Sequence, residues 1–356
     1  MKTSDFDYHL PPALIAATPA PRRDQSRLLV LDRATGVCEE ARFAEIGRWL
    51  RPGDLLVAND SRVIPARLTG HRHGTGGKAE ALLLAPESET GWLCLCRPAA
   101  KLRPGTRLVF GDGRLRGEVL AHRGRGERLI QFHWEGDWWG LLDEIGEVPL
   151  PPYIAGARRD QPDDESLARL DRERYQTVYA AARGSVAAPT AGLHFTQELI
   201  ASLQAQGAGW ATVTLHVGLG TFRPVEAEDI ESHVMHGEHF TLSEEAAQSI
   251  NATRDAGGRV IAVGTTATRV LESCAAETGR VQAQSGATRI FITPGHRFRA
   301  VDGLITNFHL PRSTLLMLVC ALAGREHTLA AYQWAIERRF RFYSYGDAML
   351  IVNRES

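Results

Sequence analysis

The chain has 356 residues, of which 44% are hydrophobic and 23% are charged, and its formal net charge is −1. These values are typical of a soluble globular protein of about two domains and exclude an intrinsically disordered chain. Five cysteines without a CxxC pair indicate neither a disulfide framework nor a thiolate zinc site. The longest apolar run, Leu315–Ala323, is far shorter than the roughly 20 residues of a membrane span, and the N-terminus has no signal-peptide core. We therefore expect a cytoplasmic protein with reduced cysteines.

The segment from Gly53 to Leu150 contains short β segments separated by turn signals such as Pro104-Gly105. Many short strands at this spacing predict a small barrel. The predicted strands are Leu55–Val57, Arg67–Leu68, Ala81–Leu84, Trp92–Cys96, Arg107–Phe110, Glu118–Leu120 and Leu129–Phe132.

The same segment is basic, although the whole chain is nearly neutral. Residues 61–131 contain 13 Lys and Arg against 6 Asp and Glu, so this segment carries +7 and the remainder −8. A basic segment can follow nucleic-acid phosphates, whereas a solvated barrel surface is the competing interpretation. The candidate phosphate contacts among these cations include Arg72, Lys78, Arg97, Lys101, Arg103, Arg123, Arg125 and Arg128, with Arg62 and Arg67 at the segment's start.

The most informative segment is Gly184–Thr196, which reads GSVAAPTAGLHFT. Its small residues let a ligand approach the backbone, and its only titratable side chain is His194. A helix is predicted at Gln197–Gln206, and its N-terminus would attract anions. The next predicted strand, Trp210–Val217, runs into a second glycine-rich turn, Gly218–Arg223. We expect both loops at neighbouring ends of one sheet, where open α/β folds bind ligands; tight packing is the alternative.

The remaining chain alternates strands with longer helices, which predicts a layered α/β domain. Strands are predicted at Arg259–Val263 and Leu304–Phe308, and helices at Glu244–Arg254, Ala267–Thr278 and Thr314–Ala323. The predicted fold class is therefore α/β, with a layered α/β main domain and an inserted small β-barrel domain. We place the main domain at residues 1–60 and 152–356 and the inserted barrel at residues 61–151. The charged stretch Arg158–Arg172 is predicted to be an exposed loop or flexible linker without chemistry.

Several long and distinctive sequence motifs are distributed along the whole chain. They are DFDYHLP at residues 5–11, AAPTAGLHF and VTLHVGLGTFRPV between residues 187 and 225, VIAVGTT at residues 260–266, FHLP at residues 308–311, and FYSYGDAM at residues 342–349. In these motifs the chain resembles the S-adenosylmethionine:tRNA ribosyltransferase-isomerase family of queuosine biosynthesis. The resemblance covers nearly the whole chain and implies the same two-part arrangement, an α/β domain with an inserted β domain.

The resemblance also implies a reaction. The enzyme would transfer and isomerise the ribosyl moiety of S-adenosylmethionine onto 7-aminomethyl-7-deazaguanine at the tRNA wobble position, giving epoxyqueuosine-tRNA, adenine and methionine. S-adenosylmethionine would be the co-substrate, no metal is expected, and the partner would be a tRNA with a GUN-type anticodon. A monomer without a membrane partner is expected. Such a site needs a base, an acid for adenine, an anion site for the methionine carboxylate, and a dry pocket for a flipped base.

Candidate residues can be named for the base, the acid and the binding sites that this reaction requires. We predict catalytic roles for His194 and His216, because imidazoles titrate near neutral pH, and for Asp5, whose carboxylate suits the sulfonium or the amine. A structural histidine is the alternative for both imidazoles. The predicted cofactor-binding residues belong to the glycine-rich turns and to the Val260–Val263 strand end: Thr190, Gly192, Gly218, Gly220, Arg223, Gly264, Thr265, Thr266 and Arg269. The predicted substrate and tRNA contacts are Arg62, Arg67, Lys78, Lys101, Arg103 and Tyr343.

The sequence also leaves three other functions open. The chain can be a non-catalytic tRNA-binding module that uses its basic segment, or an S-adenosylmethionine-dependent tRNA methyltransferase. Against the methyltransferase, no early strand runs into an open glycine-rich turn of the usual nucleotide-binding kind. The third is a metal-dependent hydrolase built on His233, His236 and Glu238, against which Gly237 interrupts a shared helical face. Whether these three residues contact substrate or are structural is left open, as is the identity of the general base and acid. For Tyr343 the alternative is a C-terminal strand that packs its aromatic side chains into the core.

Overall fold

A nine-stranded mixed sheet forms the centre of the molecule. The computed structural model of the protein describes residues 1–157, 165–218, 225 and 227–353. In spatial order the strands are β15 (Gln284–Thr288), β13 (Glu238–Leu242), β12 (Gly209–Leu215), β3 (Leu55–Asn59), β14 (Val260–Val263), β16 (Gly303–Asn307), β17 (Ala348–Val352), β1 (Arg27–Asp32) and β2 (Cys38–Arg42). Strands β12, β3, β14 and β16 are parallel to one another, so their carboxyl ends meet at one edge of the sheet.

Apolar residues on both faces of the central strands explain why the sheet is covered on both sides. In β14, Val260 and Ala262 pack in one core, whereas Ile261 and Val263 pack in the other, because successive side chains point to opposite faces. The first face is covered by α5 (Glu244–Asp255), α6 (Thr265–Cys274), α7 (Thr314–Ala323) and α8 (Arg325–Glu337), and the second by α4 (Gln197–Ala205).

A closed six-stranded barrel follows β3 in the chain. Its strands are β5 (Arg67–Arg72), β6 (Lys78–Pro86), β7 (Gly91–Arg97), β8 (Arg107–Phe110), β9 (Leu115–Gly124) and β10 (Glu127–His133), which pair in the order β10-β7-β6-β5-β8-β9. The mixed α/β fold with a barrel is thereby confirmed. The first of the seven predicted strands, Leu55–Val57, lies in β3 of the central sheet and not in the barrel. The domain limits at residues 60 and 152 stay a prediction.

A short parallel ribbon joins the barrel to the main sheet. It consists of β4 (Ser61–Val63), which leaves β3, and β11 (Ala182–Ser185), which leads into the small-residue loop. The hydroxyl of Ser61 donates to the Ser185 hydroxyl across 3.1 Å, and the Ser185 hydroxyl accepts the N–H of Val217 at 2.7 Å. The two connections to the barrel therefore run side by side at the carboxyl ends of β3 and β12.

Two sequence predictions need correction. The stretch predicted to be a loop or linker contains α3 (Glu165–Arg174), in which Asp171 is buried and accepts a hydrogen bond from the Tyr345 hydroxyl at 2.9 Å. Residues 158–164 of that stretch lie outside the described residues. The helix predicted at Ala267–Thr278 begins two residues earlier, at Thr265, and ends at Cys274. No single helix among the described residues is both long and apolar enough to cross a membrane; α7 and α8 reach that length only as a pair, which is bent by 113°.

A buried ion pair fixes the amino ends of two central strands. Asp54, which is 2% exposed, accepts hydrogen bonds from the Arg51 N–H at 2.8 Å and from the Arg259 Nε at 3.0 Å, and its carboxylate also contacts the Arg259 Nη2. Arg259 further donates to the Trp49 carbonyl at 2.8 Å. Because the two charges are paired and fully hydrogen-bonded, the loss of either one leaves the other buried alone.

Replacement of Asp54 by alanine is expected to lower the free energy of unfolding by about 3–5 kcal/mol, the usual loss when one partner of a buried ion pair is removed. Urea denaturation measures the change. The control is Asp255→Ala, which removes a solvent-exposed pair with Arg280 and should cost less than about 1 kcal/mol. Equal effects of the two substitutions would contradict the assigned role of Asp54.

Candidate functional site

A cavity opens at the carboxyl ends of β14 and β16. It encloses about 740 Å³ of empty space, its open mouth included, and is lined by residues 187–191, 264–266 and 306–310 together with side chains of Tyr153, Tyr175, Tyr343 and a few neighbours. The wall is mostly apolar, and the polar groups are concentrated at the strand ends. This is the position at which open α/β sheets bind ligands.

The amide side chain of Asn59 fixes the geometry of this edge. Asn59 is the last residue of β3 and is fully buried. Its Nδ2 donates to the Leu215 carbonyl at 3.0 Å and to the Thr266 hydroxyl at 3.2 Å, and its Oδ1 accepts the N–H groups of Ser61 and Leu215, both at 3.0 Å. One side chain thus connects β3, β12, the ribbon and the start of α6.

The start of α6 places hydrogen-bond donors in the cavity wall. Gly264 has a φ of 93° and its N–H donates to the Ile305 carbonyl at 2.8 Å, but it offers no side chain to cap the helix. Backbone N–H groups of the first turn, at Thr265 and Thr266, therefore lie in the wall without a side-chain cap. A helix N-terminus of this kind favours a carboxylate or phosphate.

Five of the predicted cofactor and substrate residues line the cavity: Thr190, Gly264, Thr265, Thr266 and Tyr343. Tyr343 has a φ of 73°, which is uncommon for a residue with a bulky side chain, and its ring lies 4.7 Å from that of Tyr153. The residue is buried in the main hydrophobic core, as the predicted alternative has it, but it lies in an irregular segment before β17 and not in a strand.

Other predicted cofactor residues are placed elsewhere. Gly192 packs against Tyr179, whose hydroxyl would lie 2.0 Å from a Cβ at this position, so the glycine allows close packing. Gly218 follows the cavity residue Val217 and its N–H donates to Glu238 at 3.1 Å. Gly220 and Arg223 lie outside the described residues.

Arg269 is buried at 6% exposure and forms an ion pair with Glu238, which is 7% exposed. It does not line the cavity. Its guanidinium Nε and Nη2 form no hydrogen bond within the described part of the chain, and the ion pair links α6 to the start of the Gly218 turn. Because Glu238 is committed to Arg269, the predicted set of His233, His236 and Glu238 does not form a ligand cluster, and the described residues contain no group of three metal-ligating side chains.

His194 is held as a buried neutral imidazole outside the cavity. Its Nδ1 lies 2.7 Å from the Ser26 hydroxyl, its Nε2 lies 3.0 Å from the Asn307 amide nitrogen, and its ring stacks on Phe43 at 5.1 Å. Burial, with the charges of Arg341 and Arg23, lowers the pKa of His194 to about 3. Both ring nitrogens are occupied, so the geometry favours the structural alternative over the predicted catalytic role.

His216 and Asp5 are not brought into the cavity either. His216 is half-buried against the backbone of Gly184, and its Nδ1 has no hydrogen-bond partner among the residues that the structure describes. Burial lowers its pKa, as does the neighbouring His239. Asp5 accepts the N–H of Lys2 at 2.9 Å in a short helical turn. Their predicted catalytic roles have no support from these positions.

The predicted RNA contacts divide into free and paired cations. Lys78, Lys101, Arg103 and Arg62 are exposed, and none of them forms an ion pair with another described residue. Arg67 is different, because it pairs with Glu80 at 2.8 Å.

Arg128 is buried and acts as an internal brace for the segment that carries Lys101 and Arg103. Its guanidinium donates to the carbonyls of Leu102 at 2.7 Å and of Ala99 at 2.5 Å. Its inclusion among the phosphate-facing cations is therefore wrong.

Several cavity residues were not singled out in the sequence, among them Tyr175 and His309. Tyr175 is 1% exposed, and none of the hydrogen bonds found among the described residues involves its hydroxyl. His309 directly follows the strand end in the FHLP motif, and its Nε2 lies 2.7 Å from the Thr306 hydroxyl. Burial lowers the pKa of His309 to about 3. The position of His309 in the sequence could have indicated its place in the cavity, because polar residues just after a buried parallel strand lie at the sheet edge where ligands bind.

Known proteins resemble this chain over its whole length. A family model described as queuosine biosynthesis protein matches residues 3–351. Three proteins named S-adenosylmethionine:tRNA ribosyltransferase-isomerase are similar: those of Acetivibrio thermocellus (53% identity), Symbiobacterium thermophilum (54%) and Halothermothrix orenii (52%), each over 99% of this chain and 100% of the relative. The crystal structure of S-adenosylmethionine tRNA ribosyltransferase from Thermotoga maritima is 39% identical, has a TM-score of 0.55, and covers 98% of this chain and 100% of that one.

The environment of His194 predicts a pH dependence of stability. Its pKa is about 3 in the folded protein and near 6.5 in the unfolded chain, so its neutral form contributes fully above pH 6.5 and this contribution is lost as the pH falls toward 3. Between pH 7 and pH 4.5 the wild type should lose about 2 to 3 kcal/mol of unfolding free energy more than His194→Gln does. Urea denaturation at both pH values tests this, with the exposed His122→Gln as a control that keeps the wild-type loss. Parallel losses in wild type and His194→Gln would refute the assignment.

Proposed function

The chain belongs to the S-adenosylmethionine:tRNA ribosyltransferase-isomerase family of queuosine biosynthesis, and from this we propose that its cavity at the ends of β14 and β16 binds S-adenosylmethionine and the reacting tRNA base. The protein is a transferase and isomerase of tRNA modification, with S-adenosylmethionine as co-substrate and tRNA as substrate. The non-catalytic and methyltransferase alternatives are not favoured by these relatives.

We infer the finer details from the family resemblance. The acceptor is 7-aminomethyl-7-deazaguanine at the wobble position of a tRNA with a GUN-type anticodon, and the products are epoxyqueuosine-tRNA, adenine and methionine. The enzyme acts in the cytoplasm as a monomer without a metal. These statements are proposals that go beyond the names of the relatives.

The assignment of the site rests on the lining of the cavity, which combines apolar walls with a few polar groups that can bind a ligand. The first-turn N–H groups at Thr265 and Thr266 suit the methionine carboxylate, because a helix N-terminus favours anions. The rings of Tyr153 and Tyr343 suit the sulfonium cation or a flat base, since aromatic faces attract cations and stack bases. Apolar walls exclude water, which protects reactive intermediates from hydrolysis.

The barrel suits the phosphate backbone of the tRNA. Lys78, Lys101 and Arg103 are exposed and form no ion pair with other described residues, so their charges are free to face phosphates. Arg128 supports this by holding the segment that presents Lys101 and Arg103. The base therefore enters the cavity while the backbone lies along the barrel.

The function is tested with purified protein, S-adenosylmethionine and a tRNA that carries 7-aminomethyl-7-deazaguanine. Adenine release and the mass of the modified nucleoside are followed together. Stoichiometric adenine with a ribosyl-derived mass gain is expected. S-adenosylhomocysteine with a methyl mass gain would make the protein a methyltransferase, and bound tRNA with unchanged S-adenosylmethionine would make it a binding module.

Tyr175→Phe is expected to weaken S-adenosylmethionine binding about 3- to 10-fold, because a net hydrogen bond contributes about 0.5–1.5 kcal/mol and the ligand supplies the missing partner of this hydroxyl. Isothermal titration calorimetry measures the dissociation constant. Tyr179→Phe is a matched control, since its hydroxyl is also buried without a partner but does not line the cavity. An unchanged dissociation constant for Tyr175→Phe would remove this residue from the binding site.

A triple variant, Lys78→Gln with Lys101→Gln and Arg103→Gln, should weaken tRNA binding and flatten its salt dependence. The slope of log K against log salt should fall by about 0.7 to 0.9 for each phosphate that the protein no longer neutralises. Fluorescence titrations at several salt concentrations measure it, and turnover at saturating tRNA should be retained. Arg280→Gln, an exposed cation outside the barrel, is the control. A wild-type slope in the triple variant would show that the barrel does not follow the phosphates.

A further inference from the structure

We propose that His309 is the general base of the reaction, the group that removes a proton from the ribose carbon beside the sulfonium, and that Tyr8 and Tyr332 position it. The inference rests on the proposed function. His309 lies two residues beyond β16, and it is the histidine that lines the cavity among the described residues. His194 and His216, the two imidazoles singled out in the sequence, lie outside the cavity lining.

The backbone of His309 is clamped from both sides. Its N–H donates to the Tyr332 hydroxyl oxygen at 3.0 Å, and its carbonyl accepts the Tyr8 hydroxyl at 2.5 Å. The two tyrosine rings contact each other edge to face, with centroids 5.2 Å apart. Hydrogen bonds of two side chains thus fix the peptide groups on both sides of His309. A base held in this way keeps its ring at one place in the wall, which proton transfer requires.

The hydrogen bonds around the ring select its tautomer. The Thr306 hydroxyl has one proton, and we assign it to the hydrogen bond with the Asn307 carbonyl, 3.3 Å away. Its oxygen therefore accepts the Nε2–H of His309 across their 2.7 Å contact. The proton of the neutral ring is on Nε2, so Nδ1 has a free lone pair. No described residue forms a hydrogen bond with Nδ1.

The proton-transfer step balances with these groups alone. The C–H bond at the ribose carbon breaks, a new N–H bond forms at Nδ1 of His309, and the electron pair stays on the carbon next to the positive sulfur. The imidazolium and the carbanion arise together in an apolar wall, where the attraction between opposite charges is strong. Burial lowers the pKa of the His309 imidazole, which keeps the ring neutral at working pH but also weakens it as a base. The negative charge that develops on the carbon offsets this cost, because it stabilises the imidazolium that forms.

The test is turnover of His309→Gln with S-adenosylmethionine that is deuterated at the ribose carbon beside sulfur. Turnover should fall about 10²- to 10⁴-fold, the usual contribution of a general base. The dissociation constants of S-adenosylmethionine and tRNA should stay within about 3-fold of wild type, given that a base acts in the transition state. The residual turnover should show a larger deuterium isotope effect than the wild type, because proton removal becomes the slow step.

Two further variants separate catalysis from structure. Tyr332→Phe removes the acceptor of the His309 N–H and should lower turnover about 10-fold or more without weakening S-adenosylmethionine binding. His327→Gln changes a half-buried histidine that packs against Gly36, away from the cavity, and should leave turnover unchanged. Circular dichroism and the two dissociation constants show that each variant is folded.

Three results would overturn the inference. His309→Gln could keep turnover within about 5-fold of wild type, lose turnover only in proportion to S-adenosylmethionine binding, or lose the isotope effect altogether. Failure of the proposed function is distinguishable from these, since it would appear as a wild-type protein that releases no adenine. Failure of the inference alone would appear as an active wild type with an equally active His309→Gln variant.

Discussion

The four hydrogen bonds of the Asn59 side chain hold together the segments that form the cavity. An amide is the side-chain group that offers two donor hydrogens and an acceptor oxygen at one point, which an aspartate of the same shape does not. At this position it joins the ends of β3 and β12 to the ribbon and to the start of α6. The first-turn N–H groups of α6 stay in the cavity wall because the Asn59 amide holds the Thr266 hydroxyl. Polar contacts thus fix both ends of the central strands, the Asn59 amide at the carboxyl edge and the Asp54–Arg259 ion pair at the amino ends, whereas apolar packing covers the two faces between them.

His194 and His309 are both held as neutral imidazoles. His194 is buried and His309 half-buried, and a hydroxyl lies beside a ring nitrogen of each at 2.7 Å. Their surroundings differ in one respect that decides their use. The second ring nitrogen of His194 contacts the Asn307 amide, whereas the second ring nitrogen of His309 forms no hydrogen bond with a described residue, and His309 lines the cavity. Burial therefore keeps both imidazoles neutral, but His194 has a structural role and His309 a reactive one.

The sequence predicted the fold class, the barrel and a small-residue loop, part of which lines the cavity, because these depend on local periodicity and on small residues. Thr190 and the Gly264–Thr266 turn were predicted at a ligand edge and line the cavity, since a strand end followed by a helix is a local signal. The choice between a catalytic and a structural His194 could not be made from the sequence, because its partners Ser26 and Asn307 are 168 and 113 positions away in the chain. The helix at Glu165–Arg174 was missed for the same reason: its buried Asp171 depends on Tyr345, which is 174 positions away.

The parallel ribbon of β4 and β11 has a consequence for how the two parts of the molecule communicate. Asn59 precedes β4 by two residues, and Ser185 at the end of β11 opens directly into the small-residue wall of the cavity. The chain enters the barrel directly from the ribbon, because only residues 64–66 separate β4 from β5, whereas it returns from β10 to β11 through residues 134–181, which include α3. The entering strand of the ribbon is therefore the short mechanical connection between the barrel and the Asn59 hydrogen bonds. A displacement of the barrel would act first on β4 and, through it, on the end of β3.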